Sequence, residues 1–164
     1  MEAFTVRRII ESDLDDFRKL RLEALRLHPE AFGASYGECS QKPMQFFAEQ
    51  LLTSHVFGGF DVNNSLQGMI GVSSHSLLKL SHVANIWGMY VRAGNRGSGL
   101  SSKLMHAALE AASPAKTVKL SVVTTNRAAY ALYRSFGFKE WATDADALCV
   151  DGVFHDEFLM RRDT

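Results

Sequence analysis

The stretch Ile86-Trp87-Gly88-Met89-Tyr90-Val91, followed by Arg92-Ala93-Gly94-Asn95 and then by Arg96-Gly97-Ser98-Gly99-Leu100-Ser101-Ser102-Lys103-Leu104, decides how the chain is read. An apolar run rich in β-branched and aromatic residues gives way to glycines at 94, 97 and 99, and then to apolar positions 100, 104 and 108 at helical spacing. This is the pattern of a strand, a tight turn and a helix. Glycines in such a turn allow positive φ and close approach of a ligand, while the unpaired N–H groups of the first helical turn carry the positive end of the dipole. The turn can seat a phosphate. Taken alone, it can equally be a plain connection between strand and helix.

The kinds of phosphate ligand separate residue by residue. Gly94 and Gly99 have the spacing of a triphosphate loop, yet Leu100 stands where that loop needs its lysine. Gly97 and Gly99 begin G-x-G-x-x-G, yet Ser102 replaces the third glycine, and no acidic residue lies near position 119 to hold a ribose. Neither a kinase-like nor a dinucleotide reading survives.

A second stretch lies downstream, Asn126-Arg127-Ala128-Ala129-Tyr130-Ala131-Leu132-Tyr133-Arg134-Ser135-Phe136-Gly137-Phe138, after the β run Val118 to Thr124. Asn126 suits a helix N-cap and Gly137 a helix stop. At about 3.6 residues per turn, Asn126 and Tyr133 fall on nearly the same side of that helix, two turns apart, where both can touch one extended ligand. Tyr130, one turn earlier, is a rival for any task given to Tyr133.

Arg96-Gly97-Ser98-Gly99-Leu100-Ser101 resembles the Arg/Gln-x-x-Gly-x-Gly/Ala motif of the GNAT superfamily of N-acetyltransferases, with Ser101 in place of the usual glycine or alanine. The second stretch resembles the family's N-x-x-A-x-x-L-Y-x-x-x-G-F segment at Asn126, Ala129, Leu132, Tyr133, Gly137 and Phe138. The resemblance implies a mixed α/β fold, with a central, mostly antiparallel sheet whose fourth and fifth strands splay apart, flanked by helices. It implies acetyl-CoA as cosubstrate, no metal, and direct attack by a primary amine on the thioester. Arg96, Gly97, Ser98, Gly99, Leu100, Ser101 and Ser102 would then hold the diphosphate. The pantetheine arm would meet Asn126 and the backbone of Met89 and Val91, and Tyr133 would protonate the departing sulfur.

The proton acceptor is not fixed in this way. Many members of the family place a glutamate in the fourth strand, where this chain has Asn85, which takes no proton at neutral pH. Asn85 can orient a water; His82, His155 and Glu38 are the other candidates. The acceptor substrate is equally open between small molecule, amino acid and peptide or protein amine. The expected entrance lies between the segment Pro29 to Glu38, a lid or a surface loop, and the last hairpin around Asp151 to Asp156. A non-catalytic acyl-CoA sensor or interaction domain of the same fold is the alternative.

The 164 residues fit a single domain, 1–164, with a core that needs no staples. Its 18 basic and 18 acidic residues cancel, which argues against nucleic acid or an anionic membrane as partner. The two cysteines, Cys39 and Cys149, lack metal-ligand spacing, the six histidines show no H-x-x-x-H pair, and no long apolar span is present. These features suit a cytoplasmic protein; a homodimer is left open. Further elements follow from periodicity and turn residues. A strand is expected over Phe4–Ile10, then a helix capped by Ser12 and closed at Pro29, and a helix over Met44–Leu52. Strands are expected over His55–Phe60, Leu66–Leu77 and Val83–Val91, the first two a hairpin, with the helix after the glycine turn reaching Ala112. Phe138–Val150 and Val153–Met160 form a last hairpin through Asp151-Gly152.

Overall fold

The computed structural model describes residues 3–164. One seven-stranded sheet runs through it, in the order β1-β2-β3-β4-β5-β7-β6. Its strands are β1 (Thr5–Arg8), β2 (His55–Phe60), β3 (Leu66–Ser74), β4 (Val83–Val91), β5 (Thr117–Val123), β6 (Lys139–Val150) and β7 (Val153–Asp163). The helices are α1 (Leu14–Leu27), α2 (Tyr36–Cys39), α3 (Met44–Thr53), α4 (Leu100–Ala111) and α5 (Arg127–Ser135). All neighbouring strands are antiparallel except β4 and β5. The mixed α/β architecture expected from the motifs is the one observed.

Alternation along β3 and β4 gives the sheet two buried faces. Ile70, Val72, Ala84 and Ile86 point to one side, where Leu100, Leu104, Met105 and Ala108 of α4 cover them. Met69 and Tyr90 point to the other, against Phe17, Leu20 and Leu25 of α1 and Phe47 of α3. Gly71 belongs to the second face; a Cβ there would lie 2.2 Å from Trp87 Cε2, so its hydrogen is what admits the indole.

The parallel pair is short, and this positions the site. β4 and β5 share three rungs, Val83 with Thr117, Ala84 with Val118 and Asn85 with Lys119. Beyond them β4 stays with β3 as far as Val91, and β5 stays with β7 as far as Val123. A bulge accompanies the parting. Met69 pairs with Tyr90 but Gly71 with Trp87, so β4 carries one residue more, and Gly88 takes φ +66°. An extra residue of this kind bends its strand and increases the local twist, which turns β4 away from β5.

Three expected boundaries are corrected. Ser12 does not cap the first helix. It lies in a 3-10 turn, Glu11–Asp13, in which the Asp13 carboxylate accepts from the Ile10 amide at 2.9 Å and from Arg7 at 2.7 Å. The β3 strand ends at Ser74 rather than Leu77, because the chain turns into a 3-10 segment at Leu78–Leu80. The segment Pro29 to Glu38 is not open loop: it holds a 3-10 turn at Pro29–Ala31 and the start of α2, capped by Ser35 Oγ on the Glu38 amide at 3.1 Å.

Candidate active site

The gap between β4 and β5 forms a cleft of about 530 Å³, continued by a narrower recess of about 80 Å³. Met89, Val91, Arg96, Gly97, Ser101 and Asn126 line the cleft. Trp87, Gly88 and Tyr133 line the recess, and Phe32, Met89, Val123, Asn126 and Ala129 border both. The two sequence motifs, far apart in the chain, thus meet on one opening.

At the cleft's wide end, Gly97 and Gly99 take φ +76° and +88°, whereas Gly94 sits in an ordinary 3-10 turn, Ala93–Asn95. Among the described residues, the amides of Gly97, Ser98, Gly99, Ser101 and Ser102 donate to no protein acceptor. Those of Arg96 and Leu100 are used internally, by Ala93 O at 3.3 Å and Ser98 Oγ at 3.4 Å. The Leu100 side chain is fully buried. The result is a cluster of free donors at the start of α4, a ready anion seat. Gly97 and Ser101 form the cleft wall itself, while Ser98, Gly99, Leu100 and Ser102 lie outside its lining.

Along the cleft, the edge of β4 is exposed. The Arg92 amide donates to Gln67 O on β3 at 3.0 Å, so by alternation Met89 and Val91 direct their backbone groups to the other edge, into the gap. The Val91 carbonyl is not free, since Arg96 Nε donates to it at 3.3 Å. Arg96 Nη2 lies 3.1 Å from His28 Nε2. Arg96 therefore reaches from the turn to the end of α1.

Asn126 caps α5, its Oδ1 accepting from the Ala129 amide at 3.2 Å, and also lines the cleft. Tyr133 is 6% exposed at the recess, and burial pushes its hydroxyl up to about 12. Tyr130 faces elsewhere: it packs on Phe158 with ring centroids 5.3 Å apart and its hydroxyl donates to Glu140. It lines neither cleft nor recess. Of the two tyrosines, only Tyr133 lines the opening.

Neither Asn85, expected to orient a water, nor the candidate acceptors His82, His155 and Glu38 line the opening, and Glu157 does not line it either. Asn85 instead meets His75 Nε2 at 3.2 Å on the exposed surface, and His82, His155 and Glu38 stand away from the lining. Glu157 was not singled out in the sequence. It pairs across β7 with Val123 of the cleft wall, and burial, together with the charge of Asp144, raises its carboxyl above the usual range. Its sequence neighbours, Phe154-His155-Asp156-Glu157, mark it only as one acid of a hairpin. Phe32, Trp87 and His28 were also missed as site residues. Of these, only Phe32 had a signal, an aromatic in a glycine-rich segment. No cluster of potential metal ligands occurs among the described residues.

The family profile described as "Acetyltransferase (GNAT) family" matches residues 16–138, a span that holds both motifs and the whole β4–β5 opening. The chain belongs to the GNAT family. An uncharacterised N-acetyltransferase of Methanocaldococcus jannaschii is 27% identical over 146 residues, 85% of this chain; the chain spans 62% of that relative's length. Among solved structures, a GNAT acetyltransferase of Streptococcus pneumoniae superposes with a TM-score of 0.82 at 19% identity, covering 99% of this chain and all of its own. A GCN5-related N-acetyltransferase of Kribbella flavida gives 0.82 at 20%, over 99% and 98%. A Salmonella typhimurium protein solved with its cofactor acetyl-CoA gives 0.80 at 20%, over 98% and 94%. The GNAT fold extends over essentially the whole chain. Among the described residues no helix is long and apolar enough to cross a membrane.

Proposed function

We propose that this GNAT chain transfers an acetyl group from acetyl-CoA to a primary amine by direct attack. One observation carries the reading. A single opening joins the free amides of Gly97 and Ser101, with three more beside them at the start of α4, to an unpaired β4 edge and to buried Tyr133. A diphosphate fits the first, an extended amide-bearing arm the second, and a thioester sulfur the third.

Acetyl-CoA, when bound, supplies an activated acyl group on a thiol that can leave. The amine nitrogen bonds to the carbonyl carbon as the carbon–sulfur bond breaks. Nitrogen must shed two protons and sulfur must gain one. A lysine-like amine, with a pKa of about 10.4, arrives protonated and loses the first before attack. Glu157 takes it in this reading, as its raised proton affinity and its rung with Val123 suit that task. Tyr133 gives a proton to the sulfur, its elevated pKa having kept that proton in place at neutral pH, and the second proton shed by nitrogen as the amide forms restores the hydroxyl. Met89 offers its backbone edge to the arm, and Arg96 would exchange the Val91 carbonyl for the diphosphate.

The test is thiol release from acetyl-CoA in the presence of a panel of primary amines, with acetylated products read by mass. Turnover with at least one amine is expected, and Glu157→Gln should lower kcat/KM by about 100-fold and remove the acid limb of its pH profile. Tight coenzyme A binding with no acetylated amine would assign the chain to a sensing role instead.

A further inference from the structure

Arg21 lies mid-way along α1 on a face that otherwise packs the core, and it is 8% exposed. Among the described residues its guanidinium forms no ion pair, and Nη1 is buried without a hydrogen-bond partner. It lies between two aromatic rings, 5.3 Å from the centre of Phe32 and 5.4 Å from that of Trp87. Nη1 also lies 3.5 Å from the point where a Cβ on Gly88 would stand. Phe32, Trp87 and Gly88 all line the recess that reaches Tyr133.

A buried cation without a counter-ion is costly, and folded proteins ordinarily pair it. Both rings lie within cation–π reach of the guanidinium, but they supply no hydrogen-bond acceptor for its planar N–H fork. Burial lowers the proton affinity of Arg21, the neighbouring Cys39 partly offsets this, and an arginine still keeps its charge at neutral pH. Planar N–H donors without acceptors are what a carboxylate matches through two parallel hydrogen bonds. On the β5 side of the same recess, Val123 has Glu157 on the adjacent rung, with Asp144 next to it on β6. Arg21 thus stands beside the recess-lining Phe32, Trp87 and Gly88 on the α1 side, and Glu157 and Asp144 stand beside the recess-lining Val123 on the β7 side, none of the three charged groups being part of the lining itself.

We infer that the acceptor is a small primary amine that also bears a carboxylate, as an amino acid does, and that Arg21 binds this carboxylate. The inference rests on the acetyltransferase reading above and deepens it. The carboxylate completes the charge of Arg21, and the amine is held toward Glu157 and the thioester.

The experiment compares free L-amino acids with the matching amino-acid amides, which keep the amine and lose the anion. Thermal unfolding of the wild-type chain saturated with coenzyme A should rise with at least one free amino acid and not with its amide. In the transfer assay that amino acid should exceed its amide by at least about 100-fold in kcat/KM. Arg21→Met should abolish both preferences through KM, while the shift caused by coenzyme A alone stays the same. Equal responses to acid and amide in the wild type, no response to any amino acid, or an undiminished preference in Arg21→Met would each overturn the inference. Failure of the general reading looks different: coenzyme A itself would cause no shift, or it would bind while no amine of any kind, with or without a carboxylate, is acetylated.

Discussion

Tyr133 offers the sharpest test at the level of one side chain, because the residue is both buried and part of the recess lining. Tyr133→Phe removes one oxygen and leaves the ring contact with Phe138, whose centroid is 6.1 Å away. We expect kcat to fall by about 100-fold with the dissociation constant of coenzyme A unchanged, as measured by steady-state kinetics and calorimetry. The same group ties stability to alkaline pH. Its pKa rises from 10.0 to about 12 on folding, so its contribution is complete below pH 10 and is lost as pH climbs toward 12. Denaturant titrations across that window should show the wild type losing up to roughly 3 kcal/mol more than Tyr133→Phe. The sequence alone left Tyr130 in contention. Helix periodicity puts both tyrosines on α5, and only the packing of Tyr130 on Phe158 and Glu140 separates them.

The turn between β4 and α4 works as a unit of three glycines that the chain spells alike and the backbone treats differently. Gly97 and Gly99 occupy positive φ with open space where a side chain would go, so alanine there meets backbone strain and no clash. Gly94 has an ordinary φ and equally open surroundings. Gly99→Ala should therefore cost about 1–2 kcal/mol and weaken coenzyme A binding, whereas Gly94→Ala should be neutral or slightly stabilising. Urea midpoints and calorimetric titration with coenzyme A read both effects. The spacing of the motif made the turn legible, since free amides at a helix start depend on local chain geometry. The bulge at Gly88 was not legible in the same way. It is defined by the register of β3 against β4, and a lone glycine in an apolar run does not reveal that register.

On the scale of the whole molecule, the cleft exists because two strands that begin side by side part after three rungs, each keeping its other neighbour. A ligand that spans this gap cross-links the β1–β4 half of the sheet to the β5–β7 half and should stabilise both. At a concentration about 100 times its dissociation constant, coenzyme A should add about 2.7 kcal/mol to unfolding, and pantetheine, which lacks the diphosphate, should need far higher concentrations for the same gain. Thermal unfolding across a titration of each ligand checks this; equal potency would mean that the α4 amides do not hold the diphosphate.

Local pattern determined a great deal by itself. The strand, glycine turn and helix at 86–104, the capped helix opened by Asn126, and the family to which the chain belongs all follow from residues close together in sequence. Their conformations depend on φ preference, capping and periodicity, which short-range sterics control. The opening of the sheet, the different surroundings of the two tyrosines, the contact of Asn85 with His75 and the isolation of Arg21 were decided by tertiary structure alone. Each depends on which distant side chains end up adjacent, and burial and charge pairing are properties of that final neighbourhood rather than of any one stretch of chain.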